Sequence, residues 1–177
     1  METAFRVAIA ADKEKIFTLF KQVILQMEFH KIDQWDDQYP TFEDITLDID
    51  NQDMFVLLLK NEIIAAITLN EEQEEDEYKK GNWIFVNGRI AVIHRLCVDP
   101  SYQNQGIAKN IMFFAEKQLY EKGYSAIRLD TFSQNTFAIK LYEKLGYSRA
   151  GEVFFRKGKF YLYEKSLRKA EEKKQKK

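Results

Sequence analysis

The sequence predicts one domain of the mixed α/β class. The chain has 177 residues, of which 45% are hydrophobic and 31% charged, a size and composition typical of a single soluble domain. Segments with the two-residue period of strands alternate along it with segments that have the period of helices. Near the middle, a strand that is apolar on both faces leads through a turn into a helix, which is typical of a central strand. We therefore expect one domain over residues 1–167 and a charged, disordered tail over 168–177.

The N-terminal part of the chain predicts a strand followed by two helices. The stretch FRVAIA, residues 5–10, alternates weakly and favours a strand. Asp12 is placed to cap the next helix, whose apolar positions recur at helical spacing: Ile16, Leu19, Phe20, Val23 and Met27. Pro40 stops that pattern, and Thr41 with Asp44 has the form of a capping box for a second helix.

The middle of the chain predicts a hairpin, a loop and the central strand. Two apolar runs joined by Lys60-Asn61-Glu62 indicate a β-hairpin. The acidic segment EEQEEDEYKK, residues 71–80, predicts a solvated loop, with a partner site as the alternative. The strand GRIAVIHRLCVDP follows and ends at Pro100, and its continuous apolar character places it in the centre of a sheet.

The C-terminal half predicts two helices that alternate with strands. The first helix begins near Gln105, ends at Gly123 and has an inner stripe of Ile107, Ile111, Ala115 and Leu119. The strand YSAIRLDTF follows. The second helix ends at Gly146, and its apolar side consists of Phe137, Ala138, Leu141, Tyr142 and Leu145. A hairpin through Lys157-Gly158 closes the domain.

Charge and cysteine usage exclude several classes of function. The net charge is −1, so nothing global favours a nucleic-acid or membrane partner, and no apolar run approaches the ~18 residues of a spanning helix. Cys97 is the only cysteine, which excludes an intrachain disulfide and argues against a zinc cluster. No other metal-ligand spacing is present, so we expect no metal. Because a single cysteine fits a reducing compartment, we expect a cytoplasmic location. The basic tail is an alternative nucleic-acid arm, but it lacks interleaved aromatic residues.

The turn QNQGIAK, Gln103 to Lys109, is suited to bind an anion. It opens a helix, whose first amides have no intrahelical partner and lie at the positive end of the helix dipole. Gly106 lets the backbone approach a ligand closely, and Ala108 keeps the next position small. Lys109 adds a positive charge. The alternative is a plain loop with a glycine near the helix start.

Two motifs together resemble the GNAT acetyltransferase superfamily. Its acyl-CoA signature is Gln/Arg-x-x-Gly-x-Gly/Ala, and residues 103–108, QNQGIA, match it in order and spacing. Its later asparagine, followed by Leu-Tyr-Glu-Lys-Leu-Gly-Tyr/Phe, corresponds to Asn135 and residues 141–147. The segment IDQWDDQYP resembles one seen in some bacterial members. The strong resemblance extends from about Arg89 to Tyr147.

The resemblance implies a fold and a cosubstrate. The fold is a central mixed, mostly antiparallel sheet that is splayed in the middle and flanked by helices, with acetyl-CoA in the split. The backbone N–H groups of residues 105–109 (Gln105, Gly106, Ile107, Ala108 and Lys109), in the turn that also contains Gln103 and Asn104, would hold the pyrophosphate. The backbone of Leu96, Cys97 and Val98 would pair with the pantetheine arm, and Asn135 would hydrogen-bond it. The Val98 N–H would polarise the thioester carbonyl, and one such donor typically lowers the activation barrier by ~3 kcal/mol.

The resemblance also implies roles for two side chains. Tyr142 lies where the superfamily has its general acid, although it also fits a packed core tyrosine. His94, one of two histidines, is the candidate general base, because some superfamily members carry a catalytic histidine on this strand and its titration range suits the task. Strand alternation places it on the same side as Val92 and Leu96. The alternatives are a histidine satisfied by the backbone or facing solvent, or no dedicated base. We expect Cys97 to be a small buried strand residue rather than a nucleophile.

The acceptor pocket is expected opposite the CoA, between the first two helices. The loop there carries four aromatic or histidine rings: Phe29, His30, Trp35 and Tyr39. Its carboxylates, Glu28, Asp33, Asp36 and Asp37, would attract a cationic amine. The alternative is that Trp35 and Tyr39 only pack the loop against the domain.

The functional hypothesis is a bacterial, cytoplasmic N-acetyltransferase. It would move an acetyl group from acetyl-CoA to a primary amine of a small molecule or peptide by direct transfer in a ternary complex, as a monomer or homodimer. The alternative is a non-catalytic acyl-CoA sensor or interaction module on the same fold.

Overall fold

A computed structural model describes residues 3–73 and 75–168. The strands in these residues are β1 (Thr3–Val7), β2 (Met54–Leu59), β3 (Glu62–Asn70), β4 (Arg89–Val98), β5 (Tyr124–Phe132), β6 (Ser148–Phe155) and β7 (Gly158–Ser166). The helices are α1 (Lys13–Phe29), α2 (Phe42–Asp50), α3 (Glu75–Tyr78), α4 (Ile107–Glu121) and α5 (Thr136–Lys144). Apart from Arg168, the tail expected over 168–177 lies outside the described residues.

The strands form one seven-stranded sheet in the order β1-β2-β3-β4-β5-β7-β6. All neighbouring pairs are antiparallel except β4 and β5, which run parallel. Helices α1 and α2 pack on one face, and α4 and α5 pack on the other. The predicted mixed, mostly antiparallel sheet flanked by helices is confirmed, and β4 is its central strand.

The sheet opens between β4 and β5. Their parallel pairing ends at Ile93 and Leu129, whereas β5 continues to pair with β7 as far as Phe132. On its other edge, β4 pairs with β3 as far as Val98. Within the described residues, the part of β4 from His94 to Val98 therefore has no strand on its β5 side. This is the splay expected at the middle of the sheet, and it leaves one backbone edge of β4 open to a ligand.

A β-bulge bends β4 just before the split. Ala66 of β3 lies opposite Cys97 and Thr68 lies opposite His94, so two β4 residues face Ile67 alone. One of them, Arg95, has a positive φ of 50°. The bulge breaks the strict alternation on which the shared side of His94 and Leu96 was predicted.

Side-chain packing shows the effect of this bulge. Leu96 packs with Ile93 and Val98 in the core under α4, whereas Val92 belongs to a separate cluster with Tyr78. The expectation that Leu96 shares a face with Val92 is therefore wrong. Alternation holds for an unbroken ladder, and the inserted residue reverses the faces beyond it.

Several local predictions can be checked at the element ends. The capping box at Thr41 is confirmed, since Asp44 N–H donates to its hydroxyl at 3.1 Å and the Asp44 carboxylate accepts from Thr41 N–H at 2.7 Å. Lys60 and Asn61 turn the β2–β3 hairpin with φ of 49° and 66°. Asp12 occupies the predicted N-cap position of α1, but its side chain makes no capping hydrogen bond to the helix. Its carboxylate instead accepts from the Arg6 guanidinium at 2.7 Å and from Ile9 N–H at 2.9 Å, which orients the chain before α1.

The acidic segment is more than a solvated loop. Part of it forms α3, which ends at Tyr78, and this tyrosine is buried against β4, β5 and β7. Its hydroxyl donates to Asp130 on β5 at 2.9 Å. The charge pattern predicted the exposed part of the segment correctly, but Tyr78 and the hydrogen bonds of Glu71 with Arg89 and Tyr124 hold the segment to the sheet.

Candidate functional site

The turn before α4 presents free backbone amides. Asn104 and Gly106 have positive φ values of 59° and 80°, and no side chain caps the helix. The first intrahelical bond runs from Asn110 N–H to Gly106 O at 3.0 Å, so the amides of residues 107–109 have no helical acceptor. A Cβ built on Gly106 would meet no heavy atom within 4 Å, which leaves the approach to these amides open.

The amide side chains of the turn brace it from behind. Gln103 donates to Val98 O at 3.2 Å, and Gln105 donates to Ser101 O at 3.1 Å. Both side chains are therefore occupied within the turn. Recognition of an anion falls to the backbone, which is the chemistry the helix N-terminus offers.

A cavity of about 590 Å³ runs from this turn along β4 to α5, and we call it the donor cavity. The residues predicted to bind the cosubstrate line it, with the exception of Gln105: Leu96, Cys97, Val98, Gln103, Asn104, Gly106, Ile107, Ala108, Lys109, Asn135 and Tyr142. The direction of the Val98 N–H follows from that of the next amide in the chain. The Asp99 N–H points away from the split and donates to Ile64 O on β3 at 2.9 Å. Because successive N–H groups of a strand point to opposite edges, the Val98 N–H is directed at the open side.

A second cavity, of about 720 Å³, lies on the other side of the split, and we call it the acceptor cavity. Its walls come from the loop after α1, from α2, from β4 and β5, and from the β6–β7 turn. The two cavities share five lining residues: Met27, Leu96, Asn135, Ala138 and Tyr142. They therefore meet where the sheet divides.

Tyr142 stands at this junction. Its side chain is 6% exposed, and its ring lies against Tyr147 and Tyr163 at centroid distances of 5.8 and 6.3 Å. Within residues 3–73 and 75–168, no protein group hydrogen-bonds its hydroxyl. Burial, with a smaller contribution from the Asp130 carboxylate, raises the pKa of Tyr142 above its ordinary value of 10. The residue is thus a fixed phenol with a free O–H.

His94 lies in the acceptor cavity but is committed to other contacts. Its Nε2 is 2.9 Å from Asn70 Oδ1 and 3.1 Å from the carbonyl of Glu72. Both partners are acceptors, so Nε2 carries the proton. Burial, and then the charge of Arg95, lowers the pKa of His94 to about 4. A neutral imidazole with so low a pKa is a weak base, and its contacts tie β4 to the start of the acidic segment.

Asn135 links the two cavities. Its Oδ1 accepts from Ala138 N–H at 3.1 Å and caps α5, while its Nδ2 donates to Gln34 Oε1 at 2.7 Å. One Nδ2 hydrogen remains for a ligand in the donor cavity. Sequence reasoning found Asn135 through its motif but missed Gln34, which lies 101 positions away in the chain.

The segment 33–39, which we call the acceptor loop, is fastened by ion pairs. Arg156 from the β6–β7 turn binds both carboxylate oxygens of Asp36, at 2.9 and 2.8 Å. Lys157 binds Asp36 at 2.8 Å and also pairs with Asp33. The hydrogen bond from Arg156, helped by that from Lys157, outweighs the opposing effect of burial and holds the pKa of Asp36 well below its usual range. The expectation that Asp33 and Asp36 attract an amine is therefore wrong, because basic side chains already neutralise them.

The four rings expected in the acceptor pocket separate into different places. Trp35 and Tyr39 line the acceptor cavity, with Trp35 packed on Phe20 at 5.5 Å. His30 instead lines the donor cavity and contacts Phe137 at 5.4 Å, and Phe29 is 79% exposed and lines neither cavity. The reason is that α1 continues to Phe29, which carries both rings away from the loop.

Phe137 is a further correction. The helical pattern predicted it on the inner side of α5, but it is 59% exposed. It lies in the first turn of α5 at the donor cavity, where it meets His30 instead of the core.

Arg95 is the cavity-lining residue that sequence reasoning missed most clearly. Its guanidinium binds Asp48 of α2 through Nε at 2.7 Å and Nη2 at 2.6 Å, and it donates to the Tyr39 hydroxyl at 2.7 Å. Asp48 also accepts from the Thr68 hydroxyl at 2.7 Å. No linear pattern marks Arg95, because the bulge alone turns its side chain toward the acceptor cavity.

Cys97 is buried in β4, and burial raises the pKa of its thiol to about 12. The thiol is therefore protonated near neutral pH and is a poor nucleophile. Across the described ranges, no cluster of three or more His, Cys, Asp or Glu side chains is arranged to hold a metal. In the same part of the chain, no helix combines the length and apolar character needed to cross a bilayer.

The split sheet, the open helix N-terminus and the two joined cavities define the class of fold found in GNAT acetyltransferases. The sequence profile described as "Acetyltransferase (GNAT) family" matches residues 20–147, well over half of the chain. The chain belongs to this family, and the resemblance first inferred from the two motifs is confirmed.

Two kinds of known protein are similar to the chain. Over 59 residues it is 37% identical to the [Ribosomal protein bS18]-alanine N-acetyltransferase of Haemophilus ducreyi, a match that covers 33% of this chain and 41% of that protein. Among solved structures, a GNAT-family acetyltransferase from Streptococcus agalactiae aligns over 94% of this chain and 96% of its own, with a TM-score of 0.82 and 24% identity. The structure of yncA from Salmonella typhimurium, solved with its cofactor acetyl-CoA, covers 96% of each chain with a TM-score of 0.70 and 14% identity.

Proposed function

We propose that the protein transfers an acetyl group from acetyl-CoA to a primary amine. The observation that carries the proposal is that the donor and acceptor cavities meet at Leu96, in the open part of β4, and at Tyr142 of α5. A thioester in one cavity and an amine in the other would come together at that point without entering bulk water. Membership of the acetyltransferase family supports the reaction class.

The donor cavity supplies the groups that acetyl-CoA requires. The free amides of residues 107–109 suit the pyrophosphate, and the open edge of Leu96 to Val98 suits the amides of the pantetheine arm. The remaining N–H of Asn135 can donate to the same arm. The Val98 N–H is directed at the split, where it would hydrogen-bond the thioester oxygen as negative charge develops there.

The reaction balances with one acid and one proton acceptor. The neutral amine attacks the thioester carbon, a C–N bond forms and the C–S bond breaks. The electron pair leaves on sulfur, and the Tyr142 phenol donates its proton to the thiolate. The ammonium of the acceptor loses one proton to water before attack, and the nitrogen loses a second proton as the tetrahedral intermediate collapses, which restores the Tyr142 phenol. His94 has no role in this scheme, because its pKa is lowered to about 4 and its N–H is already bound.

Direct transfer within a ternary complex is the route that the side chains favour. An acyl-enzyme route would need a nucleophile, and the cysteine nearest the split, Cys97, has a pKa raised to about 12. Two cavities that meet at the split of the sheet also allow both substrates to be present together. A single buried cysteine fits the reducing cytoplasm in which we place the enzyme.

The class of acceptor depends on the acceptor cavity of this chain. The bS18-alanine N-acetyltransferase named above acts on an alanine, but the match covers only 41% of that protein's length. A peptide amine and a small-molecule amine therefore both belong in the test, and a monomer or a homodimer would serve either.

Calorimetric titration with acetyl-CoA, followed by thiol release over a panel of amines, tests the proposal. We expect saturable binding of acetyl-CoA and amine-dependent release of CoA. Absence of binding would overturn the proposal altogether. Binding without release on any amine would favour the acyl-CoA sensor that the same fold could form.

A further inference from the structure

Arg95 has a backbone conformation that normally belongs to glycine. Its φ of 50° lies in the left-handed region, and among the described residues it is the one non-glycine residue inside a strand with a positive φ. A bulge residue in this conformation is commonly glycine, because a side chain there costs free energy. Such a conformation persists only where surrounding contacts hold it, so the contacts of the Arg95 side chain are the place to look for that hold.

Two elements of the acceptor side bind the Arg95 side chain. The guanidinium donates to both carboxylate oxygens of Asp48 in α2, at 2.7 and 2.6 Å, and to the Tyr39 hydroxyl at 2.7 Å. The side chains of Arg95 and Asp48 are only 12% and 7% exposed. Asp48 is itself fixed by the Thr68 hydroxyl at 2.7 Å. A buried pair with two parallel hydrogen bonds has one geometry, so it can hold one backbone conformation.

The charge of Arg95 also disfavours a strand without the bulge. Ala91 and Ile93 belong to the core under α4, so in a strictly alternating strand Arg95 would be the next residue on that face. A guanidinium buried there without its partner would be strongly destabilising. With the bulge, Leu96 and Val98 pack into that core, and Arg95 lies on the side of α2.

The same inserted residue decides which amides of β4 face the split. The Ser133 N–H donates to β7, so alternation along β5 turns the backbone of Leu129 toward β7 as well. Ile93, which lies opposite Leu129, therefore makes the hydrogen bonds across to β5. After the bulge, Leu96 and Val98 occupy that edge. Without it they would face β3, and the amides at the split would lie one residue, about 3.3 Å, away.

We infer that Arg95 is a positioning residue for the acetyl-CoA arm. Its pair with Asp48 holds the bulge, and the bulge directs the N–H groups of Leu96 and Val98 at the thioester and the pantetheine arm. The inference rests on the proposed function and adds to it a residue of the acceptor side that acts on the donor side. Because Arg95 also binds Tyr39, one guanidinium connects the acceptor loop to the open edge of β4.

Two double variants that differ by one methyl group test this role: Arg95→Ala/Asp48→Asn and Arg95→Gly/Asp48→Asn. Both remove the ion pair without leaving a buried charge unpaired, and asparagine keeps an oxygen for the Thr68 hydroxyl. The difference between them is that glycine adopts a positive φ without strain, whereas alanine does not. The glycine variant should therefore keep the bulge that the alanine variant loses.

Calorimetry with two ligands separates positioning from general damage. Acetyl-CoA is compared with adenosine 3′-phosphate 5′-diphosphate, which has the pyrophosphate of CoA but no pantetheine arm. We expect the alanine variant to bind acetyl-CoA about thirtyfold more weakly than wild type, because two hydrogen bonds to β4 are lost. The glycine variant should stay within about threefold of wild type, since its edge of β4 is retained. The diphosphate should bind all three proteins equally.

Two further variants complete the experiment. Arg149→Ala removes an arginine from an ion pair with Glu152 on β6, outside both cavities, and should leave both affinities unchanged. Arg95→Lys decides the question if the double variants do not fold. Lysine keeps the charge but cannot bind both Asp48 oxygens and Tyr39 at once, so the affinity for acetyl-CoA alone should fall by about fivefold.

The outcomes separate this inference from the proposed function. If wild type does not bind acetyl-CoA, the proposed function is wrong and the inference falls with it. The role of Arg95 alone is wrong if wild type binds acetyl-CoA and the alanine variant or Arg95→Lys binds it equally well. It is equally wrong if the glycine variant loses as much affinity as the alanine variant, or if the diphosphate loses affinity together with acetyl-CoA.

Discussion

The donor and acceptor cavities meet at Tyr142 but are constructed differently. In the donor cavity the largest single contribution comes from one continuous strand–turn–helix, residues 96–109, which supplies the free backbone amides, and α1 and α5 complete the walls. The acceptor cavity is built from side chains of several elements, which are held by ion pairs such as Arg156 with Asp36, 120 positions apart in the chain. Recognition of the cosubstrate is therefore local, whereas recognition of the acceptor depends on the tertiary fold.

Backbone and side-chain sites also differ in what a mutation can change. A site built of amides depends on the φ and ψ angles of the turn and tolerates most side-chain replacements. A site built of charged side chains changes its specificity with each replacement. Within one fold, the first kind suits a fixed cosubstrate and the second suits a variable acceptor.

Tyr142→Phe tests the point where the two cavities join, and we expect the largest effect there. The variant keeps the ring but removes the O–H that would protonate the thiolate, so kcat should fall by about a thousandfold while acetyl-CoA affinity stays close to wild type. Because burial raises the pKa of Tyr142, the wild-type rate should not lose this acid until the pH exceeds 10, the ordinary pKa of a tyrosine.

Tyr147→Phe is the matched control for that variant. Tyr147 is a buried neighbour, but its hydroxyl donates to Glu116 at 3.0 Å, and it lines neither cavity. Its replacement should lower stability without a comparable loss of kcat. Equal turnover of wild type and Tyr142→Phe on a working acceptor would show that the acid lies elsewhere.

His94 provides a test of the acceptor side through the pH dependence of stability. Its pKa falls from 6.5 to about 4 on folding, so the neutral form is favoured in the folded protein. The resulting stabilisation is complete above pH 6.5 and is lost as the pH falls toward 4, a change of about 3 kcal/mol. Urea unfolding at a series of pH values should detect this loss in the wild type and a much smaller one in His94→Gln. The same acid dependence in both proteins would contradict the assignment.

Gly106→Val tests the donor side. Valine is strained at a φ of 80° and would place its side chain over the free amides. We expect acetyl-CoA affinity, measured by calorimetry, to fall by about a hundredfold. Gln105→Ala is the control, since the Gln105 side chain only braces the turn through Ser101 and lines neither cavity. A comparable loss in both variants would mean that side chains, not amides, bind the pyrophosphate.

Gln34→Leu tests the link between the cavities and should have the smallest effect. It removes the 2.7 Å hydrogen bond that fixes the Asn135 amide. The loss of one such bond, about 1 kcal/mol, should raise the KM for acetyl-CoA by about fivefold with little change in kcat. Gln38→Leu, in the same loop but at a residue whose side chain does not hydrogen-bond Asn135, should not change this KM. An unchanged KM in Gln34→Leu would show that the link does not matter to the donor cavity.

Much of the fold was predictable because its signals are short in range. The capping box at Thr41, the Lys60-Asn61 turn and the stripe of α4 each depend on residues a few positions apart. The predictions that failed concern features set by contacts between distant parts of the chain. The partners of Asp12, the bulge at Arg95 and the exposure of Phe137 depend on how helices and strands pack against each other. Hydrophobic periodicity does not predict that packing.

The candidate site divides along the same line. The amino-acid sequence by itself determined the α/β class, the family and the turn from Gln103 to Lys109, because a helix N-terminus presents its amides wherever it is placed. Only the tertiary structure decided which carboxylates are neutralised and that the cavities join at Tyr142. It also decided that His94 is held neutral. The physical reason is that charge pairing and burial depend on distances between elements far apart in the chain, while an open helix end depends on its own backbone alone.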